Sequence, residues 1–109
     1  MAHKEHQSCI EACQACAAAC DHCAAACLDE PDVTMMARCI ALDMDCAQIC
    51  SLAAAYLARD SEFAKEMCEL CADVCTACAE ECEKHDKEHC QACADACQSC
   101  ADECRKMAA

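Results

Sequence analysis

The sequence predicts an all-α protein, an antiparallel up-down-up-down four-helix bundle with a cysteine-lined core. The chain of 109 residues has no glycine and one proline, and alanine is abundant, a composition that favours helix. Cysteine recurs every three or four residues, so successive sulfurs fall on one helix face. Short breaks divide the chain into four such segments, which makes consecutive helices antiparallel. We expect residues 1–109 to form a single domain.

The first predicted helix runs from His3 to Leu28. It carries six cysteines between Cys9 and Cys27, at intervals of 4, 3, 4, 3 and 4 residues. A heptad whose inner positions would normally hold Leu or Ile therefore holds Cys. Pro31 ends this helix, because proline cannot continue a helix and restricts the residue before it.

The second predicted helix runs from Asp32, a suitable N-cap, to Ala58. Its inner face holds only three cysteines, and Asp43 takes a position of the same spacing. At about 100° of rotation per residue, a second apolar stripe lies about a quarter turn around the helix from the cysteine face. It consists of Leu42, Ile49, Leu52 and Tyr56. This stripe is either a contact between copies of the chain or a seal against the next helix.

The third predicted helix covers residues 62–84, with Asp60 or Ser61 as its cap, and the fourth runs from a cap at Asp86 to about Met107. The unit Cys-x-x-Cys-Ala-x-x-Cys occurs six times in the chain. The alanine of each unit either lets neighbouring helices pack closely or is simply a good helix former.

Charge and hydropathy exclude several classes of function. A net charge of −13 disfavours nucleic acid and anionic membranes, whose phosphates are bound by Lys and Arg. It is compatible with attracting cations, and it also keeps a protein soluble. We expect no apolar run long enough to span a bilayer, and the polar start MAHKEHQS lacks the apolar core of an export signal. We therefore expect a soluble, cytoplasmic protein without a membrane partner.

The cysteines are expected to be reduced. Their number, 19, is odd, and cysteines three or four apart on one helix are poorly placed for disulfides within that helix. A secreted disulfide scaffold is therefore disfavoured.

A core built for stability alone would use Leu and Ile. Burial stabilises a fold by roughly 25 cal/mol per Å² of apolar surface, and Ala and Cys bury little surface per residue. The thiols therefore indicate metal ligation. The simpler alternative is that each free cysteine serves only as a small buried hydrophobic residue. The predicted ligands are Cys9, Cys13, Cys16, Cys20, Cys23, Cys27, Cys39, Cys46, Cys50, Cys68, Cys71, Cys75, Cys78, Cys82, Cys90, Cys93, Cys97, Cys100 and Cys104.

An unbroken stripe of sulfurs favours Cu(I), which accepts two or three thiolates and shares them between ions. Structural zinc and iron–sulfur clusters instead need four ligands converging on a separate site. One Cu(I) per thiolate is also neutral, so the chain is expected to hold on the order of 19 Cu(I). The alternatives are a zinc or mixed-metal buffer and a dithiol redox protein, but the βαβ unit usual beside a redox Cys-x-x-Cys is missing from the predicted elements. We expect no catalytic activity.

The two ends of the predicted bundle differ. One end, the mouth, gathers Met35, Met36, His85 and His89, whose thioethers and imidazoles are suitable Cu(I) ligands beside thiolate. His89 is the best candidate, because it directly precedes Cys90. The other end gathers an apolar plug of Tyr56, Leu57, Phe63 and Met67. Asp43 is either a ligand on the mouth side or a hydrogen-bonded acid, while His3, His6 and His22 are treated as surface residues.

The six repeated units, the segment Arg38–Cys50 and the segment Glu88–Cys97 resemble the bacterial copper storage proteins over essentially the whole chain. The resemblance implies a four-helix bundle that stores many Cu(I) ions on inward-facing cysteines, commonly as a tetramer. A copper chaperone is a candidate donor of the metal. The resemblance also implies that one open end of the bundle has ligands other than cysteine. In this chain the first residue to which that role would be assigned is His89, followed by Asp43, Met35, Met36 and His85. Without an export leader, the chain is similar to the cytosolic members.

Overall fold

The computed structural model describes the backbone of residues 2–109 and the side chains of residues 6–109, so the side chain of His3 lies outside the described part. Four α-helices and one short 3₁₀ turn make up this part of the chain, and it contains no strand. The helices are α1 (Ala2–Leu28), α2 (Ala37–Ala58), α3 (Ala64–Glu83) and α4 (Glu88–Ala108), and the 3₁₀ turn Val33–Met36 precedes α2.

Each helix packs against two others, so the four form a square array. Helix α1 lies against α2 and α4, and α3 lies against the same two helices from the opposite corner. The array measures 48 × 17 × 17 Å, which makes it one helix long and two helices wide. The predicted four-helix bundle is confirmed.

The core consists of sulfur with alanine beside it. All 19 cysteines have 0% exposed surface and are free thiols. Of the alanines that follow the second Cys of each repeated unit, Ala24, Ala72, Ala79, Ala94 and Ala101 are buried, and Ala17 is partly buried. These small residues lie where neighbouring helices meet, which supports the interpretation that they permit close packing.

The predicted start of the second helix is wrong. Asp32 makes no capping hydrogen bond, and its φ of −101° and ψ of 41° are not those of a usual N-cap. Its Oδ1 lies 3.9 Å from Nζ of Lys87 in the α3–α4 connection, so the carboxylate is directed across the bundle end. The chain passes through the 3₁₀ turn instead, and α2 begins only after Met36.

The other two predicted caps are also displaced. Ser61 accepts a hydrogen bond from the N–H of Phe63 at 3.1 Å, within the turn that precedes α3, whereas Asp60 adopts a left-handed backbone with φ of 53°. The N-cap position of α4 is the extended Lys87 and not Asp86. Here Gln91 stabilises the turn by donating its amide N–H to the carbonyl of His85 at 2.7 Å. This bond ties the α3–α4 turn to the first turn of α4, and no described side chain caps the N–H groups at the start of α4.

The expectation that no segment is apolar enough to span a bilayer is wrong for Val33–Ala58. This segment reaches a mean hydropathy of 1.3 over an 18-residue window, of which 39% is buried in the bundle. Ala and Cys both count as apolar on such a scale. A core helix that is rich in Ala and Cys can therefore match a membrane-spanning helix in length and mean hydropathy.

The second apolar stripe of α2 divides in two. Leu42 and Ile49 are partly buried against the core, which fits a seal between helices. Leu52 is 49% exposed, and Met44, about two turns earlier, is 54% exposed. The outer surface of α2 therefore carries these two large apolar side chains among the exposed polar residues Asp45, Gln48 and Ser51. At the end opposite the mouth, Leu57 is 2% exposed, whereas Phe63 of the predicted plug lies largely outside at 57%.

Candidate metal centre

The sulfurs form a continuous tube along the bundle axis, which we call the sulfur tube. Within one helix, sulfurs four residues apart are 3.8 to 4.0 Å from each other, as in the pairs Cys46–Cys50 and Cys93–Cys97. Between helices the separations are similar or shorter, down to 3.5 Å for Cys39 and Cys82. Such distances are van der Waals contacts between thiols and far exceed the length of a disulfide bond. The lining is therefore a set of separate, closely spaced ligands.

All four helices contribute to the middle of the tube. Cys16 of α1 lies 3.8 Å from Cys46 of α2 and 3.6 Å from Cys97 of α4. Cys46 in turn lies 3.6 Å from Cys75 of α3. The strict three-and-four spacing produces this convergence, because it keeps every sulfur on the face that each helix turns towards the axis.

The thiols can be grouped into fours whose sulfurs all lie within 4.8 Å of one another. These groups overlap: Cys16 and Cys46 belong to two of them, and so do Cys20 and Cys97. Separate tetrahedral ions cannot occupy overlapping groups without sharing ligands. Shared thiolates are the arrangement that Cu(I) accepts and that an isolated structural zinc site does not need. Five of the groups are Cys13/Cys71/Cys100/Cys104, Cys16/Cys46/Cys50/Cys75, Cys16/Cys20/Cys46/Cys97, Cys20/Cys78/Cys93/Cys97 and Cys23/Cys27/Cys39/Cys90.

Asp43 interrupts the sulfur tube on α2. The side chain is completely buried, and its Oδ1 accepts hydrogen bonds from the thiols of Cys78 and Cys93, both at 3.2 Å. Burial raises the pKa of this carboxyl group to about 10. Asp43 is therefore a hydrogen-bonded acid within the tube, and its oxygens lie beside potential metal ligands.

His89 joins the sulfur tube at the mouth. Its Nδ1 lies 3.5 Å from the sulfur of Cys23, 3.9 Å from that of Cys27 and 3.6 Å from that of Cys90. The other ring nitrogen, Nε2, lies 2.8 Å from Oε2 of Glu30. The imidazole therefore adds one nitrogen to a set of three sulfurs. That combination of donors suits copper.

Burial favours the protonated form of two thiols at the mouth. Burial raises the pKa of Cys27 to about 11, and it raises the pKa of Cys90 as well. A neutral thiol behaves as a small apolar group, so the empty tube is compatible with a folded core. Metal binding must then release the thiol protons.

His85 lies beside the tube and contacts no sulfur among the hydrogen bonds of the described residues. Its Nε2 is 2.9 Å from Oε2 of Glu81, whose Oε1 is also 3.3 Å from Arg38 and 3.5 Å from Lys84. Burial acts to raise the pKa of Glu81, but the bond from His85 and the charge of Lys84 outweigh it and hold that pKa below its usual value. His85 thus belongs to a charged cluster at the rim.

The remaining candidates are distributed around the bundle ends. Met36 is completely buried, whereas Met35 is 74% exposed. His22 is exposed, as expected for a surface residue. His6 differs from that expectation, because only 13% of its side chain is exposed and its Nδ1 lies 3.9 Å from Asp60.

Sequence reasoning missed Glu30. This residue lies in the α1–α2 connection, 59 positions away from the histidine that it contacts. No spacing or periodicity marks a loop residue of this kind. The only signal was its position directly before Pro31, at the end of the bundle where the mouth histidines were expected.

The fold and the site together define a class of protein. It is a helical bundle that holds soft metal ions in its interior, since the whole core consists of thiols and these thiols form overlapping ligand groups. A role in metal sequestration follows from the number of ligands and from their burial.

Comparison with known proteins gives the particular family. The sequence pattern of the copper storage protein (Csp) family matches residues 2–109, and this chain belongs to that family. The cysteine-rich protein YhjQ of Bacillus subtilis is 54% identical over 80 residues, which are 73% of this chain and 74% of that protein. The resemblance predicted from the repeated motifs is confirmed.

Solved structures agree in fold as well as in sequence. The Cu(I)-bound copper storage protein BsCsp3 superposes with a TM-score of 0.93 at 53% identity, covering 96% of this chain and 99% of that one. A cytosolic copper storage protein from Streptomyces lividans, solved with five coppers, gives a TM-score of 0.95 at 42% identity, covering 98% of this chain and 94% of that one.

Proposed function

We propose that this chain stores many Cu(I) ions per molecule in the cytosol. The stored copper is either kept away from other components of the cell as a protection or held in reserve. The observation that carries this function is the continuous sulfur tube, in which every one of the 19 cysteines is buried and reduced. Cytosolic location is taken from the Streptomyces relative. Residues 1–109 act as a single storage domain, and the role is storage and not catalysis.

The proposed ligands are all 19 cysteines together with His89. Copper enters at the mouth, where His89 and the thiols of Cys23, Cys27 and Cys90 form the outermost complete set of donors. Asp43 is a proposed ligand for copper deeper in the tube, because its carboxyl oxygens already contact thiols on α3 and α4. Met35, Met36 and His85 are proposed as transient contacts on the way in.

Charge balance favours Cu(I) over Zn(II) in this interior. Each Cu(I) that replaces one thiol proton leaves the tube neutral. A Zn(II) ion on four thiolates leaves about two negative charges, which are costly in a buried, low-dielectric site. The overlap of the ligand groups supports the same choice, because bridging sulfurs raise the number of monovalent ions that the tube can hold.

The test is an anaerobic titration of the fully reduced protein with Cu(I) in the presence of a competing chelator. We expect saturation near one Cu(I) per cysteine, on the order of 19 per chain, with release of about one proton for each copper bound. The matched measurement uses Zn(II). Tight zinc binding at about one ion per four cysteines, with weak copper binding, would contradict copper storage and support a zinc buffer.

Two partners are also proposed. A copper chaperone delivers Cu(I) at the mouth, and copies of this chain associate into a homo-oligomer, a tetramer by resemblance to the family. The large side chains of Leu52 and Met44 on the outer surface of α2, each about half exposed, support self-association, because their burial against another copy would remove apolar surface from water.

A further inference from the structure

The side chain of Glu30 connects the α1–α2 loop to the ring of His89. Oε2 of Glu30 lies 2.8 Å from Nε2 of His89, and both side chains are largely covered, at 22% and 13% exposed. An ionised carboxylate can only accept a hydrogen bond, so Nε2 carries the hydrogen. In the neutral ring, Nδ1 then has a free lone pair, and this nitrogen is the one that contacts the three mouth sulfurs.

Glu30 is itself held in place from the other side of the loop. Its second oxygen, Oε1, lies 3.6 Å from Nζ of Lys87, at the N-cap position of α4. The ring of His89 and the ammonium group of Lys87 hold the carboxylate of Glu30 from two directions. Each oxygen thus has a separate partner, and the carboxylate cannot turn without losing one of them.

We propose that Glu30 is a positioning residue, which fixes the tautomer and the ring orientation of His89 so that Nδ1 faces the mouth thiols. This inference rests on the proposed copper storage. A half-turn of the imidazole about its Cβ–Cγ bond would exchange Nδ1 for a carbon atom and remove the nitrogen from the sulfurs. The bond to Glu30 opposes that turn, and it also opposes transfer of the hydrogen to Nδ1. Partners of this kind commonly change metal affinity by about 10- to 100-fold.

The first experiment measures the tautomer of His89 in metal-free, reduced protein by ¹⁵N NMR. We expect wild type to carry the hydrogen on Nε2, and Glu30→Ala to populate the Nδ1–H tautomer as well. Glu30→Gln should restore the wild-type tautomer, because its amide oxygen still accepts the hydrogen bond. The matched control is Asp29→Ala, which removes an exposed neighbouring carboxylate and should leave the spectrum of His89 unchanged.

The second experiment measures the rate at which a chelator transfers the first equivalent of Cu(I) to the protein. We expect Glu30→Ala to slow this transfer about tenfold, to nearly the rate of His89→Ala, with little change in total capacity. The double variant should be no slower than His89→Ala alone, because Glu30 acts through the histidine. Asp29→Ala should transfer copper at the wild-type rate.

Three results would overturn the inference. An unchanged tautomer in Glu30→Ala would show that the carboxylate does not position the ring. A wild-type transfer rate in that variant would show that positioning is unimportant for uptake. A further loss of rate when Glu30→Ala is added to His89→Ala would assign Glu30 a separate role as an attractor of copper.

These outcomes are distinct from a failure of the proposed function. The tautomer is measured without copper, so it tests the Glu30–His89 interaction even if the protein stores a different metal. If wild-type protein bound no Cu(I) in the titration above, storage would be rejected whatever the NMR spectrum of His89 showed.

Discussion

At the scale of single residues, Asp43 is the clearest departure from the sulfur pattern. It is the one acid among the completely buried side chains of the described core, and its oxygens contact thiols from two other helices. A serine or alanine would have filled the position at a lower cost in desolvation. Retaining a carboxyl group there favours a role in metal binding over a role in stability.

Asp43 should make the metal-free protein less stable as the pH rises. Its pKa is about 10 in the folded protein and near 3.8 in an unfolded chain, so the unfolded state binds fewer protons between these values. The stabilising contribution is fully present below about pH 4 and falls as the pH increases. We expect the free energy of unfolding of reduced wild type to fall by up to about 3 kcal/mol from pH 5 to pH 7 because of this group.

Anaerobic urea unfolding at the two pH values measures this effect. Asp43→Asn should remove most of the pH dependence, because the amide does not titrate. Asp45→Asn is the matched control, since Asp45 lies on the exposed side of the same helix and should leave the dependence intact. Equal pH dependence in wild type and Asp43→Asn would mean that Asp43 is ionised or solvated in the folded protein.

At the scale of elements, helix faces could be predicted from the sequence and helix starts could not. The positions of Cys16, Cys46 and Cys97 follow from a period that a helix alone imposes. Near the start of α2, Asp32 lies 3.9 Å from Lys87 and makes no capping hydrogen bond, and near the start of α4, Gln91 donates to the carbonyl of His85. Contacts of this kind join different parts of the chain and leave no local pattern.

The same distinction applies to the candidate site. The sulfur ligands and His89 could be predicted, because they lie on helices whose register is set by cysteine. The contact that orients His89 could not be predicted, because Glu30 lies in a loop, and neither could the pairing of His85 with the buried carboxylate of Glu81. The sequence placed both histidines at the mouth and favoured His89 because it precedes Cys90. The structure shows that both rings contact a carboxylate, whereas only His89 also contacts sulfur among the hydrogen bonds of the described residues.

The outer face of α2 leads to a prediction about assembly. Replacing Leu52 with Glu should place a charge on the proposed contact between copies and shift the protein towards monomer, by at least tenfold in the dissociation constant. Sedimentation velocity over a range of concentrations measures the change. Gln48→Glu adds the same charge to an exposed residue one turn away, so it tests whether the apolar side chain or simple charge repulsion controls association. Identical sedimentation of wild type and Leu52→Glu would locate the contact elsewhere or exclude it.

At the scale of the whole molecule, stability and storage are divided between different residues. The sulfur tube supplies ligands but little buried area per residue, while Leu57, at 2% exposed, packs at the end of the bundle opposite the mouth. We expect Leu57→Ala to lower the free energy of unfolding of the metal-free protein by about 2–4 kcal/mol and to leave the Cu(I) capacity unchanged.

The control for this prediction is Leu70→Ala, which removes the same atoms from a side chain that is 51% exposed. That change should cost no more than about 0.5 kcal/mol. Urea unfolding measures the loss in both variants, and a chelator titration measures the capacity. A large fall in capacity in Leu57→Ala would show that packing at the far end and ligand geometry cannot be separated.

The slender shape of the bundle has a consequence for how long a stored ion stays. The array is 48 Å long but only 17 Å wide, and donors other than cysteine gather at the His89 end while Leu57 lies at the other. If copper enters and leaves only at the mouth, as proposed, an ion near Cys9 or Cys104 has to pass from thiolate to thiolate along most of that length before it is released. Release from those deep thiols should then be slower than release from the thiols beside His89.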